Sequence, residues 1–168
     1  MRPSWWTVLL CVWLGAGCAY RLGPTNGEVA GARSVRVDLF NNETLEPRLT
    51  EAVGTALRRT LQQDGTYRLN TRGDADIVLK GTITEYLRSG ISFEPRDIIT
   101  PRDFQITMVA KITATERASG RVILDRQVQG RTTIRIGPDL SSAERQAVPS
   151  LAEDLARNVT SLLVDGSW

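Results

Sequence analysis

Both cysteines of this chain, Cys11 and Cys18, stand within its first eighteen residues. No disulfide can therefore staple the chain beyond them, and a hydrophobic core alone must hold it. A domain of about 150 residues buries roughly 68–70% of the surface its unfolded chain exposes, which suffices for one independent core. The cysteines themselves belong to an address rather than to the fold. Arg2 gives a positive start, Trp5 to Leu14 form a short apolar run, and Leu14-Gly15-Ala16-Gly17-Cys18 closes it with small residues before a thiol. This is the pattern of a secretory signal ending in a lipoprotein cleavage site, with residues 1–17 as the signal peptide. The run is too short to stay in a bilayer as a helix, which takes about 20 apolar residues. One departure is that Gly15, not a leucine, stands three places before Cys18.

Cleavage there makes Cys18 the first mature residue, carrying diacylglycerol on its sulfur and an acyl chain on its amine. Each buried methylene adds about 0.8 kcal/mol, so several chains hold a protein durably where one does not. Ala19 comes next, not the aspartate that commonly retains such proteins at the inner membrane, so the expected destination is the periplasmic side of the outer membrane. Residues 18–32 read as a tether punctuated by Gly23-Pro24, Asn26-Gly27 and Gly31, and residues 33–168 as a single domain.

Within that domain two kinds of periodicity alternate. Val35, Val37 and Leu39 lie on one face of a strand that ends at Asn41-Asn42. Leu49, Val53, Leu57 and Leu61 then recur every fourth residue, with Thr44 as the expected N-cap, Pro47 in the first turn and Gly65 as the stop. Residues 66–70 are a short extended piece. Residues 77–86 read as a strand, and residues 104–116 as a strand with Ile106, Met108, Ala110, Ile112 and Ala114 on one face. Ala118-Ser119-Gly120 turns the chain into residues 121–134, with Val122, Leu124 and Val128 inward. Ser141 and Glu144 have capping-box spacing before a last helix striped by Val148, Leu151, Leu155, Val159 and Leu162, which Pro149 should kink or split. The order β-α-β-β-β-α, with one-sided strands and helices, predicts an α+β two-layer sandwich. A mostly antiparallel sheet of about four strands would carry both helices on one face.

The chemistry is mostly read by elimination. The chain has no histidine, which removes Ser-His-Asp and Cys-His nucleophile systems and most zinc sites. Neither a mature free thiol nor a phosphate-cradling glycine loop is present, so no cofactor other than the lipid at Cys18 is expected. Asp74 with Asp76 and Glu153 with Asp154 are carboxylate pairs, but they stand where turns and solvated helix faces place charges. Asn42 and Asn158 match the glycosylation pattern yet read as a turn residue and an exposed helix position. The expectation is a protein that is not an enzyme. A net charge of +2 gives no argument for nucleic acid. The basic residues are nearly all arginine, with Lys80 and Lys111 the only lysines, a pattern open to codon bias or to bidentate anion contacts. Residues 87–102 are the one stretch that folding leaves unexplained: a long loop with Arg88, Arg96 and Arg102 beside Ile91, Phe93, Ile98 and Ile99. It is either a solvated loop packed back on the sheet or a surface for an amphiphile with phosphate at one end and acyl chains at the other.

Several short motifs in order give a resemblance. Cys18-Ala19-Tyr20-Arg21-Leu22, Ser34-Val35-Arg36-Val37, Phe40-Asn41-Asn42-Glu43-Thr44, Glu46-Pro47 and Ala75-Asp76-Ile77-Val78-Leu79-Lys80-Gly81 are joined by residues 104–115 and 141–163. Together they resemble the LptE-type lipopolysaccharide-assembly lipoproteins along nearly the whole mature chain. The resemblance implies a two-layer lipoprotein that plugs the lumen of a large outer-membrane barrel, LptD, and assists lipopolysaccharide delivery to the outer leaflet. It also implies contact with lipopolysaccharide through basic residues in two loops. The first corresponds to the segment with Arg88, Phe93, Arg96 and Arg102. The second, Gly137-Pro138-Asp139-Leu140-Ser141-Ser142, has no lysine or arginine here, and only Arg135 and Arg145 flank it. A strand followed by an amphipathic helix is also similar to periplasmic lipoproteins that regulate peptidoglycan synthesis or a secretion channel. Those insert further helices between later strands, whereas residues 77–134 show no helical stripe.

Overall fold

A computed structural model describes residues 29–94, 97–135 and 139–166. Its elements run β1 (Ser34–Val37), β2 (Asn41–Asn42), α1 (Leu49–Asp64), β3 (Arg68–Leu69), β4 (Ile77–Glu94), β5 (Asp97–Glu116), β6 (Val122–Arg135) and α2 (Leu140–Asp165). The sheet order is β3-β1-β4-β5-β6, with β2 also on β4. The two-layer α+β class holds, but six strands replace the expected four. The extended piece at residues 66–70 joins the sheet as β3, parallel to β1. β1 and β2 are successive pieces that both run parallel to β4, while β4, β5 and β6 form an antiparallel meander. The break between β1 and β2 lets Phe40 turn inward over Gly81, where a β-carbon would collide with the ring.

The core follows the periodicities except at Leu39, which is exposed because Phe40 turns inward in its place. Ile77, Leu79, Ile83, Ile106, Met108, Ala110, Ile112 and Ala114 are fully buried under Val53, Leu57, Leu151, Leu155 and Val159. The last helix drifts by one position at its end, so that Leu163 rather than Leu162 is fully buried. At Gly130 a β-carbon would lie 2.7 Å from both the Leu151 carbonyl oxygen and the Leu155 nitrogen. That glycine lets the α2 backbone lie directly on β6.

The helix ends differ from expectation. Asn42 Oδ1 accepts from the Thr44 amide at 3.0 Å and from its hydroxyl at 2.8 Å, which commits Thr44 to a turn. α1 therefore begins only at Leu49, with Arg48 at the cap in a left-handed conformation and no side-chain cap bond. Gly65 closes α1 as expected, its amide on the Leu61 carbonyl at 3.2 Å. At α2 the cap is Asp139, which accepts from the Ser141 amide, and not Ser141. α2 runs unbroken through Pro149, and both the proline and Arg145, whose carbonyl loses its donor, are exposed residues.

Two further corrections come from β-bulges. Leu124 pairs with Ala114 but Val122 pairs with Thr115, so Ile123 is the extra residue. Val122 is thereby turned to the polar face and is exposed, while Leu124 is buried. The stretch at residues 87–102 is not a loop but the upper half of the β4–β5 hairpin, paired from Leu87↔Thr107 to Glu94↔Asp97. Pro101 is tolerated because it sits opposite Phe93 at a register shift, where the ladder is already broken.

Candidate functional site

The upper half of the hairpin begins at Thr84, the extra residue between Ile83↔Ala110 and Glu85↔Val109. Below it the odd residues of β4 face the helices; above it the even ones do, since Tyr86 pairs with the inward Met108 and Arg88 with the inward Ile106. Arg88 thus points to the helix side. Its Nε lies 2.5 Å from Glu144 Oε1, its Nη2 lies 3.4 Å from Glu46 Oε2, and its guanidinium stacks 5.5 Å from the Tyr86 ring centre. Glu144 keeps only 11% of its side chain exposed. Its contact with Arg88 is charge against charge with no aligned hydrogen bond. The Tyr86 hydroxyl is buried without a protein partner. Burial first, and then the negative charges of Glu144 and Glu46, push its pKa up against the opposing pull of Arg88. It stays a neutral phenol.

Higher on the hairpin the chemistry changes. Asp103 accepts from the Ser92 hydroxyl at 2.5 Å and from Arg135 Nε at 3.0 Å, tying three strands together. Those bonds, Ser92 first, hold its carboxyl below the usual range, with the Arg102 charge adding to the effect. Leu87, Ile91 and Phe93 are 51%, 49% and 46% exposed. Phe93 and Pro101 close over Gly90, where a β-carbon would sit 3.1 Å from the proline and 3.7 Å from the ring. Arg102 is exposed at the register shift between Ser92↔Asp103 and Phe93↔Pro101.

Of the four residues expected to meet lipopolysaccharide, Phe93 and Arg102 share this upper surface, and Arg96 lies outside the described residues. Arg88 is held on the helix side by two carboxylates, so its charge is already engaged within the fold. Glu46, Tyr86 and Glu144, which hold it, carried no signal in the sequence, because their meeting depends on the extra residue at Thr84. In the second segment Gly137 and Pro138 lie outside the described residues. Asp139 and Ser142 there bond each other at the start of α2, and Arg145 Nη2 donates to the Ser142 hydroxyl at 3.0 Å. Cys18 and the signal also lie outside the described residues.

The carboxylate pairs have structural partners. Asp74 meets Arg117, and Asp76 accepts from the Ser34 hydroxyl and amide, both at 2.7 Å. Glu153 meets Arg59 at 3.3 Å, and Asp154 accepts from the Arg131 amide at 2.9 Å and from Arg157 at 2.7 Å. Among the described residues no cluster of three or more potential metal ligands occurs, and no helix is long and apolar enough to cross a membrane.

The profile of the LptE family, described as lipopolysaccharide-assembly, matches residues 32–163. No curated protein matches at the level of sequence. Protein CT253 of Chlamydia trachomatis shares the fold at a TM-score of 0.57 and 11% identity, over 78% of this chain and 95% of that one. A minor lipoprotein of Acinetobacter baumannii does so at 0.53 and 16%, over 79% and 92%. Protein XCC0632 of Xanthomonas campestris does so at 0.52 and 12%, over 80% and 85%.

Proposed function

This chain belongs to the LptE lipopolysaccharide-assembly family, and from that premise we propose that it is an outer-membrane lipoprotein that plugs an LptD-type β-barrel. There it assists the passage of lipopolysaccharide to the outer leaflet, as a binding and assembly component and not as an enzyme. Acyl chains on Cys18 hold it at the periplasmic side of the membrane. The observation that carries the reading is the family match across the whole two-layer domain. The upper hairpin supports it, since half-exposed Ile91 and Phe93 and exposed Arg102 all lie at its irregularly paired end, bringing together the apolar and cationic groups an amphiphile with acyl chains and phosphates needs. Arg96 and Arg102 are the phosphate contacts in this reading, and Phe93 touches acyl chain. Arg88 serves instead to fix the hairpin to α2. The strand order from β4 to β6 supports this reading over a regulator of peptidoglycan synthesis or of a secretion channel, because β4, β5 and β6 follow one another without an inserted helix among the described residues.

The test is purification of the acylated chain under mild detergent. A β-barrel recovered in equal amount is expected, and its absence overturns the reading. Cys18→Ser should leave an uncleaved or soluble form; a variant that still fractionates as a lipid-modified species refutes the anchor. For the ligand, well-formed charge-assisted bonds contribute about 1.5–3 kcal/mol each, and about 1.4 kcal/mol is one decade of affinity. Arg96→Ala with Arg102→Ala should therefore weaken lipopolysaccharide binding by roughly tenfold or more, and Arg59→Ala on the outer face of α1 should not. Equal losses in both would mean diffuse electrostatics rather than a site.

A further inference from the structure

The outer edges of this sheet are treated differently. β6 is sealed by α2: the Arg131 amide donates to Asp154 Oδ2 at 2.9 Å, and Asn158 Nδ2 donates to the Gln129 carbonyl at 2.8 Å. β3 is only two residues long. A further edge is the upper part of β4. β2 ends with Asn42 opposite Ile83, and the Glu43 amide on the Ile83 carbonyl at 3.0 Å is the last bond on that side. Above it, among the described residues, β4 pairs with β5 alone.

That bare edge is well formed. From Glu85↔Val109 to Gly90↔Phe104 six successive pairs run without a register shift, between the bulges at Thr84 and Ile91. The outward N–H and C=O groups of residues 85–90 are therefore in regular strand spacing, the condition for another strand to add. Apolar side chains accompany it. Leu87, opposite Thr107, lies on the face away from the helices and is half exposed, as is Ile91 just above. Leu45 is fully exposed in the turn whose next residue, Glu46, reaches Arg88. The Arg88 contacts with Glu46, Glu144 and Tyr86 hold the edge in place before anything binds.

We propose that residues 85–90 of β4 are a strand-addition site, which in the complex receives an extended segment of the barrel partner with an apolar side chain beside Leu87. The occupant is dictated by the hydrogen-bonding groups themselves, since only another extended backbone matches their spacing. A second copy of this chain is the weaker candidate. Six residues of edge cover far less than the roughly 800 Å² per partner of a stable interface, so the site suits a segment of a complex held together elsewhere. The identity of the partner rests on the function proposed above.

The experiment measures amide hydrogen exchange of the full acylated chain, alone and copurified with its barrel. The outward amides of residues 85–90 should exchange fast in the chain alone and slow by about tenfold or more in the complex, while the Arg131 amide, already bonded to Asp154, stays unchanged. Leu87→Lys should remove that protection; Val122→Lys, an equally exposed site at the start of β6, should not. If the complex forms and residues 85–90 exchange as they do alone, strand addition is refuted and the barrel reading stands. If no barrel copurifies, that reading fails and takes this occupant with it. Protection in the isolated chain that grows with its concentration would assign the edge to a second copy and also overturn the proposal.

Discussion

Below Thr84 the β4–β5 hairpin lies under two helices, and Ile77, Leu79, Ile83, Ala110 and Ile112 lose all contact with solvent. Above Thr84 the same two strands stay paired in a shifted register, yet Leu87, Ile91 and Phe93 keep about half of their surface in water. Alternation is similar in the two halves; what differs is the cover. The lower half belongs to the core, and so do the inward Ile106 and Met108 of β5 above the bulge, while on the upper part of β4 the apolar side chains Leu87, Ile91 and Phe93 are left half exposed. A single extra residue marks the change, and it moves Arg88 rather than Leu87 under α2.

The largest expected effects lie in the lower half. Leu57→Ala or Leu155→Ala should each cost about 2–5 kcal/mol in urea unfolding, the usual cost for a fully buried leucine. Phe93→Ala in the upper half should stay below about 1 kcal/mol. Equal losses would show that the two halves are not energetically distinct. At the junction, Arg88→Ala leaves Glu144 buried without its cation and should cost about 1–3 kcal/mol. Replacing Arg88 and Glu144 together with leucine should cost less than Arg88→Ala alone, because no uncompensated charge remains.

Acid separates the halves further. Asp76 below and Asp103 above both have depressed pKa values, chiefly from the hydroxyls of Ser34 and Ser92. A carboxylate with a depressed folded pKa stabilises fully above its unfolded value and loses that contribution as pH falls through the folded one. Global stability should thus drop as pH falls below the ordinary carboxylate range. Ser34→Ala should flatten that drop in urea midpoints. Ser92→Ala should change only local exchange near Asp103, because the end of the hairpin opens without unfolding the core. The smallest effect belongs to Arg59→Ala, whose exposed pair with Glu153 should contribute within about 0.5 kcal/mol.

These contrasts mark what the sequence could reveal. The stripe from Leu49 to Leu61 and the alternation from Ile106 to Ala114 were legible because each side chain repeats a signal set by backbone geometry. The bulges at Thr84 and Ile123 were not, since an extra residue leaves the composition of a strand unchanged while reversing its faces. That is why Val122 reads as inward, and why Arg88 reads as a phosphate ligand when two carboxylates hold it. Residues 87–102 read as a loop because Pro95 and Pro101 argue against a ladder, although Pro101 sits where the ladder is already interrupted. Thr44 and Ser141 read as caps on local grounds, but each is itself a donor to an earlier side chain: Asn42 holds Thr44 in a turn ahead of α1, and Asp139 takes the Ser141 amide as the cap of α2. For the candidate site, arginine beside apolar residues was visible, and the open strand edge was not.

The seal over β6 has a consequence for the order of assembly. Its two bonds come from Asp154 and Asn158, in the last helix, whereas the edge they cover is made from Gln129 and Arg131. A chain that emerges from its amino end exposes that edge before the helix that hides it exists. Until roughly thirty further residues have emerged, the sheet is open to pairing with any neighbouring strand. The closing helix therefore has to arrive before a competing chain does, which favours folding that begins only once the whole polypeptide is available.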